Sequence, residues 1–518
     1  MSTAIVWFRR DLRLADNPAL AEAARSHEHV VALYVHAPEE EGEWAPGAAS
    51  RWWLHHSLEA LDTALGRHHG RLQVVRGPSL ESLRAVIAAT GATAVYFNRL
   101  YDPKVVRRDK AVRRGLEADG IEVASFNAAL WVEPWDIATK QDEPYRVFTP
   151  FWRNVRTRIG EMEPLPEPPA LSLWQPHRDE MWEPLQRRSR GSGQAGSGLP
   201  LGEHPSPLKR LPHERGGLLG IGELGLLPAR DWAKGFGEWT PGEKGAQEML
   251  ALFADDAVGH YDEGRDLPAR HGTSRLSPHL HWGEISPVQI AAQLRARTAK
   301  RRNGVDIEPY LRQLGWREFA HHLLYHFPKT PKENFNPKFD AFRWARRDAH
   351  ALHRWQRGQT GIPIIDAGMR ELWATGWMHN RVRMLVASLL TKNLRQHWVL
   401  GEKWFWDTLV DADLANNAMG WQWVAGSGAD AAPYFRIFNP VTQSEKFDPD
   451  GAYIRRWVPE LAKAPGRLVH APWEDEAFLK SSGYPSPIVD LKRSREDALT
   501  AYQRLRGARA EAGPAPGE

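Results

Sequence analysis

The sequence predicts an N-terminal α/β unit built on a parallel sheet, joined to an all-helical C-terminal unit. Three observations carry this. Five short runs rich in Val, Ile and aromatic residues fall within the first 130 residues, each separated from the next by a helix-compatible stretch. A segment rich in Gly, Pro, Ser and charge follows. From residue 243 onward strand-like alternation becomes scarce and helical periodicity dominates. The length of 518 residues suits two to four folded units.

The strands are expected at 4–8 (AIVWF), 30–35, 72–76, 94–97 and 121–126, with helices at 18–28, 50–66, 79–90 and 103–119. Strands that are apolar nearly throughout belong to a parallel sheet covered on both faces, here a Rossmann-like one. The turn after the first strand lacks GxGxxG and reads FRRDLRLADNPAL instead. Two readings of Arg9 to Asn17 stay open. The segment lines a ligand crevice beyond the strand ends, or it is a charged loop in which Asn17 and Pro18 start a helix. Residues 1–130 form the first domain.

Residues 131–219 are expected to be an interdomain linker, mobile around 188–200, where the chain reads RRSRGSGQAGSG over 187–198. Residues 220–505 read as a helical domain of ten or more helices. Helical patterning covers 228–236, 243–255, 286–300, 308–325, 340–357, 365–375, 378–397 and 403–411. The end, 506–518, is low in complexity and expected to be disordered.

Composition removes several chemistries. There is no cysteine, which excludes disulfides, thiolate nucleophiles, Cys-ligated zinc and iron–sulfur clusters. Met1 to Phe8 carries no positive charge ahead of its apolar stretch, as a secretory signal requires, and no run approaches eighteen apolar residues. A cytoplasmic monomer without a membrane span is the expectation. Tryptophan is abundant, at 24 residues. Twelve of these lie in 261–460, where 28 positive and 21 negative charges leave a net +7, whereas residues 1–130 are neutral with 16 of each. Aromatic rings amid basic excess suit a surface that stacks bases and holds phosphates.

His321, His322 and His326 share a helix, but no carboxylate joins them on the same face, so a metal site is disfavoured. In HGTSRLSPHLHWGE (271–284) the hydroxyls of Thr273, Ser274 and Ser277 precede Pro278 at a helix entrance, suited to a diphosphate but also to simple capping. In 404–424 Asp411, Asp413, Asn416 and Asn417 stand inside an aromatic-rich helical region, where buried carboxylates need partners. Arg383 can pair with Asp411. Asn380, Arg383 and Met384, at i, i+3 and i+4, share one helical face.

These segments resemble the photolyase/cryptochrome family. The resemblance rests on WFRRDLRLADNPAL (7–20), GTSRLSPHLHWGEISP (272–287), LGWREF (314–319), GIPIIDAGMRELWATGWMHNRVRM (361–384), DADLANNAMGWQWVAGSGADAAPYFRIFNP (411–440) and EKFDPDGAYIRRWVPEL (445–461). It spans nearly the whole chain. It implies an antenna domain followed by a helical domain that holds FAD without a covalent bond, and UV-damaged DNA as partner. It implies an FAD surround of Tyr261, Arg265, Thr273, Ser274, Leu276 and Ser277. Beside the flavin ring it implies the Arg383–Asp411 pair, Asp413, and Asn417 facing the ring's reactive nitrogen. It implies an electron relay of Trp421, Trp398 and Trp344, and a lesion cavity of Gln313, Trp316, Asn380, Met384 and Trp423. The implied activity is light-driven repair of cyclobutane pyrimidine dimers by electron transfer from photoexcited reduced FAD to a flipped-out dimer. A second antenna chromophore, of folate or deazaflavin type, is expected near Arg9 to Asn17. One position departs from the pattern. Cyclobutane-type enzymes usually carry Glu at this place, but this chain has Gln313, which (6–4) photolyases tend to carry, so (6–4) repair is an alternative. A cryptochrome-like photoreceptor is another, disfavoured by the short segment beyond the fold.

Overall fold

The computed structural model describes residues 2–175, 218–299, 304–431 and 435–511. Five strands, β1 (Thr3–Phe8), β2 (His29–His36), β3 (Gln73–Arg76), β4 (Ala94–Asn98) and β5 (Glu122–Phe126), form one sheet in the order β3-β2-β1-β4-β5. Every pairing is parallel; Ile5 lies opposite Val31 on one side and Val95 on the other. Helices α1 (Pro18–Ser26), α2 (Ala48–Gly66), α3 (Ser79–Thr90) and α4 (Pro103–Ala118) make the crossovers. Alternate residues of a strand enter different cores because side chains alternate across the sheet. Ile5 and Trp7 pack with Leu83, Val112 and Leu116. Ala4, Val6 and Phe8 pack with α2, and that core continues into Phe236, Trp239, Trp282, Trp377 and Val410 of the helical unit. One face of the sheet is thereby fused to the helical unit.

The segment Arg9 to Asn17 is the second seam, and here the charged-loop reading holds. Arg9, Asp11, Arg13, Asp16 and Asn17 are all buried. Arg9 pairs with Asp109 at 2.9 Å and reaches the Asn98 carbonyl. Arg13 donates to the carbonyls of Gly283 at 2.8 Å and Ala128 at 2.9 Å. The Leu12 N–H donates to the Trp282 carbonyl at 3.1 Å, and Ser286 donates to Asp16. Gly283 has φ +66°, and a Cβ there would lie 2.1 Å from the Arg10 carbonyl oxygen, so only glycine admits this approach. These residues join the two units through their side chains.

Among the described residues, 131–173 are also more than a linker. Trp131, Val132, Ile137 and helix α5 (Phe148–Arg156) are buried with Tyr261, Leu276, Tyr310 and Phe319, so this stretch belongs to the helical unit. Leu171, Leu173, Leu224 and Leu226 return to the sheet-side core, and the Leu219 N–H donates to the Val74 carbonyl at 2.9 Å. The span 188–200 lies outside the described residues.

Helix Glu243–Asp255 lies where the periodicity placed it. At 228–236 only a short turn forms, Lys234–Glu238. Helix 340–357 shortens to Ala349–Gln356 because the Asp348 side chain caps the His350 and Ala351 N–H groups. The 378–397 stretch divides: His379 caps Asn380–Ser388, a π turn spans Leu389–Asn393, and His397 caps a new helix, Trp398–Thr408. Helix Leu491–Glu511 runs past residue 505; residues 512–518 are outside the described set. Among the described residues no helix is long and apolar enough to cross a membrane.

Candidate functional site

Helix Asn380–Ser388 and the loop before helix Leu414–Ala425 bring the expected polar cluster together. Arg383 Nη2 donates to both oxygens of Asp411, at 2.8 and 3.0 Å, while its Nε donates to the Met378 carbonyl at 2.7 Å. Ser277 donates to Asp411 at 2.6 Å and accepts from Trp377 Nε1 at 3.3 Å. The Ser277 hydroxyl, expected near phosphate, therefore belongs to the Asp411 network, although the residue is exposed. Asp413 caps Leu414–Ala425, accepting from the Asn416 N–H at 2.9 Å and its side-chain amide at 2.6 Å. Burial works against its charge, but His321 at 3.4 Å and His281 at 3.7 Å more than offset that and hold its carboxyl well below the usual range.

Half-buried Asn417 donates its amide N–H to the Glu402 carbonyl at 3.0 Å. That bond fixes which way the amide faces. The Glu402 side chain is fully buried, and among the described residues neither oxygen has a hydrogen-bond partner; burial pushes its carboxyl well up.

In the loop 271–277, Ser274 accepts from Tyr310 at 2.9 Å and from the Leu276 N–H at 3.4 Å. Leu276 is a core residue, and its carbonyl accepts from the Leu280 N–H at 2.9 Å. Thr273 is half-buried. Arg275 lies over the Trp239 and Trp377 rings at 4.2 and 5.1 Å, which anchors the loop. Tyr261 is buried edge-on to Tyr310, and Arg265 stacks over Tyr261 at 5.4 Å.

The expected relay is not one continuous ring stack. The Trp421 indole lies on helix Trp398–Thr408, so close to Gly401 that a Cβ there would stand 2.0 Å from the ring. Its ring neighbours are Phe405 at 5.0 Å and Trp355 at 6.2 Å; Trp398 is not among them. Buried Trp398 donates to Asn334 at 3.1 Å and stacks with His397 at 5.6 Å. His397 in turn meets half-buried Trp344 at 5.0 Å.

The expected lesion residues lie on three helices. Gln313 and Trp316, on Glu308–His326, are half-buried. Gln313 Oε1 accepts from Arg265 at 3.1 Å, so Arg265 contacts a lesion-side residue as well as Tyr261. Phe148 covers one Trp316 face at 3.6 Å and 10°, leaving the other available. Asn380 is exposed and Met384 half-buried on one helix face. Half-buried Trp423, on Leu414–Ala425, has Arg436 over its ring at 5.9 Å. The helices carrying Trp316 and Trp423 pack against each other.

Sequence reasoning missed His281, His321, Phe148, Glu402 and Trp355. His321 was weighed as a metal ligand; instead it bonds the Arg317 carbonyl and faces Asp413, while His326 bonds the Pro134 carbonyl. Neither joins a metal-ligating group among the described residues.

The residues fit a flavin dinucleotide. Buried Trp421 Nε1 lacks a hydrogen-bond partner among the described residues, and half-buried Asn417 keeps its amide oxygen and a second N–H beyond its bond to Glu402. An ion pair, an anionic carboxylate and an amide make a set of donors and acceptors suited to a heterocycle edge.

Comparison with known proteins agrees with this architecture. A family model described as DNA photolyase matches residues 4–170, and one described as the FAD binding domain of DNA photolyase matches residues 310–504. The chain is 46% identical over 512 residues to a deoxyribodipyrimidine photo-lyase of Agrobacterium fabrum, covering 97% of this chain and 98% of the relative. It is 37% identical over 522 residues to Cryptochrome-1 of Arabidopsis thaliana, covering 97% of this chain and 71% of that one. The crystal structure of a bacterial class III photolyase from Agrobacterium tumefaciens matches with a TM-score of 0.85 at 43% identity, covering 98% of each chain.

Proposed function

Starting from a chain that belongs to the photolyase/cryptochrome family, we propose that it is a deoxyribodipyrimidine photo-lyase that splits cyclobutane pyrimidine dimers in UV-damaged DNA. The coarser function, light-dependent DNA repair or photoreception of the photolyase/cryptochrome type, follows from the family itself. One observation carries the finer reading. The short helix Asn380–Ser388 sends Arg383 into the Asp411 pair and presents Asn380 and Met384 from the same face. Cofactor-facing and lesion-facing groups thus share a single rigid element.

Arg383, Asp411, Asp413 and Asn417 would hold the flavin ring. Tyr261, Arg265, Thr273 and Ser274 would surround the rest of the dinucleotide. FAD, when bound, would supply light-driven one-electron chemistry to a dimer held beside it. The free face of Trp316 and the Trp423 indole receive the flipped-out dimer by stacking, which is tolerant of base identity. Asn380 offers a donor and an acceptor to a pyrimidine edge, and Met384 an apolar contact. Gln313, with its oxygen held by Arg265 and one amide N–H on the Pro309 carbonyl at 3.4 Å, keeps one N–H for an acceptor such as a thymine carbonyl. Repair of a (6–4) product needs a group moved between bases and therefore an acid near the lesion. His379 is buried, and burial lowers its pKa to about 4, so it is not poised as that acid. Trp421, Trp398 and Trp344 would deliver electrons from the surface. A second antenna chromophore of folate or deazaflavin type would sit in the N-terminal unit near the 9–17 segment.

The test is binding to matched duplexes with and without a dimer. Tighter binding to the damaged duplex is expected, weakening with salt by roughly 0.7–0.9 log units per log unit for each phosphate contact. Equal affinity at every salt concentration would leave photoreception as the function.

A further inference from the structure

Helix α2 carries a second cluster of ligating side chains, unused by the reading above. His55 and Glu59 stand four residues apart and His56 and Glu59 three, so all three meet on one helical face. His55 Nε2 lies 3.2 Å from Glu59 Oε1, and His56 Nδ1 lies 3.1 Å from Glu59 Oε2. One ligand atom from each residue can be chosen so that all lie within 4.8 Å of one another. A tetrahedral zinc ion with bonds near 2.0–2.1 Å separates its ligand atoms by roughly 3.3 Å, close to these distances.

The surroundings favour a cation over simple hydrogen bonding. Among the described residues no Lys or Arg pairs with Glu59; its partners are the two imidazoles. His55 is 5% exposed, and its ring meets that of His56 at 5.0 Å, so both imidazoles stand beside Glu59. Trp52 packs edge-on to His56 at 4.6 Å and to Phe236 at 5.2 Å, which fixes the His56 ring. The Glu59 side chain is 53% exposed, so a water can complete the coordination from the solvent side.

We propose that His55, His56 and Glu59 form a three-ligand site for a divalent cation of the zinc class. Its role is structural. From the same helix, Trp53 and Ser57 donate to buried Glu284 of the helical unit at 3.0 and 2.5 Å. A bound cation braces the helix that joins the two units.

The test uses the full-length flavoprotein, stripped of metal and titrated with zinc against a chelating indicator, with anomalous diffraction at the zinc edge from soaked crystals. One zinc per chain is expected, with an anomalous peak between the three side chains and a raised Tm. His56→Ala and Glu59→Gln should each weaken binding at least tenfold and abolish the Tm rise, with flavin content and repair rate unchanged. Zinc retained by both variants, or no peak at the cluster, would overturn the assignment.

Discussion

A single nitrogen of Arg383 bridges both oxygens of Asp411, and the Asp411 side chain is 3% exposed against 24% for Arg383. The carboxylate is the buried partner and depends on the guanidinium. Removing one member of a buried pair costs about 3–5 kcal/mol, because the other charge stays buried. Arg383→Ala should lower Tm and reduce FAD per chain well below one. Arg383→Lys should retain part of both. Unchanged FAD content in Arg383→Ala would remove the pair from the cofactor site.

Trp355, a ring neighbour of Trp421, and Trp398, which is not one, have different prospects. Trp355 is fully buried with its indole N–H on the Val386 carbonyl, so it offers no direct exit to solvent. Trp398 leads through His397 to half-buried Trp344. Trp421→Phe and Trp398→Phe should each slow photoreduction of bound oxidised FAD at least tenfold, and Trp355→Phe should leave it nearly unchanged. Transient absorption measures all three. Pre-reduced Trp421→Phe should still repair DNA.

Gln313 is held by Arg265, and a carboxylate in its place would form an ion pair there. It would also restore an acidic group beside the dimer. Gln313→Glu should raise the number of cyclobutane dimers split per absorbed photon. A lower yield with unchanged DNA affinity would show that the neutral amide is the favoured group.

Two buried groups give stability opposite pH slopes. Burial raises the Glu371 carboxyl from 4.5 to about 7, with the Tyr453 hydroxyl and the His379 N–H working the other way. Between those values the folded chain holds a proton that the unfolded chain has lost, so stability falls as pH rises from 4.5 to 7. Glu371→Gln should remove that fall, a gain of up to about 3 kcal/mol at pH 8. Burial lowers the Lys392 ammonium, which donates to the Ala425 carbonyl at 2.7 Å. Here the unfolded chain holds the extra proton, so stability rises with pH toward the unfolded value of 10.5. Lys392→Met should flatten that rise. Urea unfolding at pH 5, 7 and 9 reads both effects.

The sheet was legible because its pattern is local. Ile5 and Trp7 serve one core while Val6 and Phe8 serve the other, and each run is bounded by turn residues. The Arg383–Asp411 pair was legible because helical spacing places Arg383 beside Asn380 and Met384, and a buried carboxylate demands a cation. Phe148 on Trp316, His281 beside Asp413 and Glu402 under Asn417 were not legible. Each is a contact between residues whose local patterns read as ordinary core or capping. The segment Arg9 to Asn17 left two readings open because its charges do not show in sequence what pairs them; backbone carbonyls of both units satisfy them.

The most direct measurement gives the reduced flavoprotein two defined oligonucleotides under blue light, one with a cyclobutane thymine dimer and one with a (6–4) product, each with a dark control. The account predicts light-dependent restoration of the cyclobutane oligonucleotide alone. Restoration of only the (6–4) oligonucleotide would contradict the lesion assignment, and restoration of neither would contradict repair altogether.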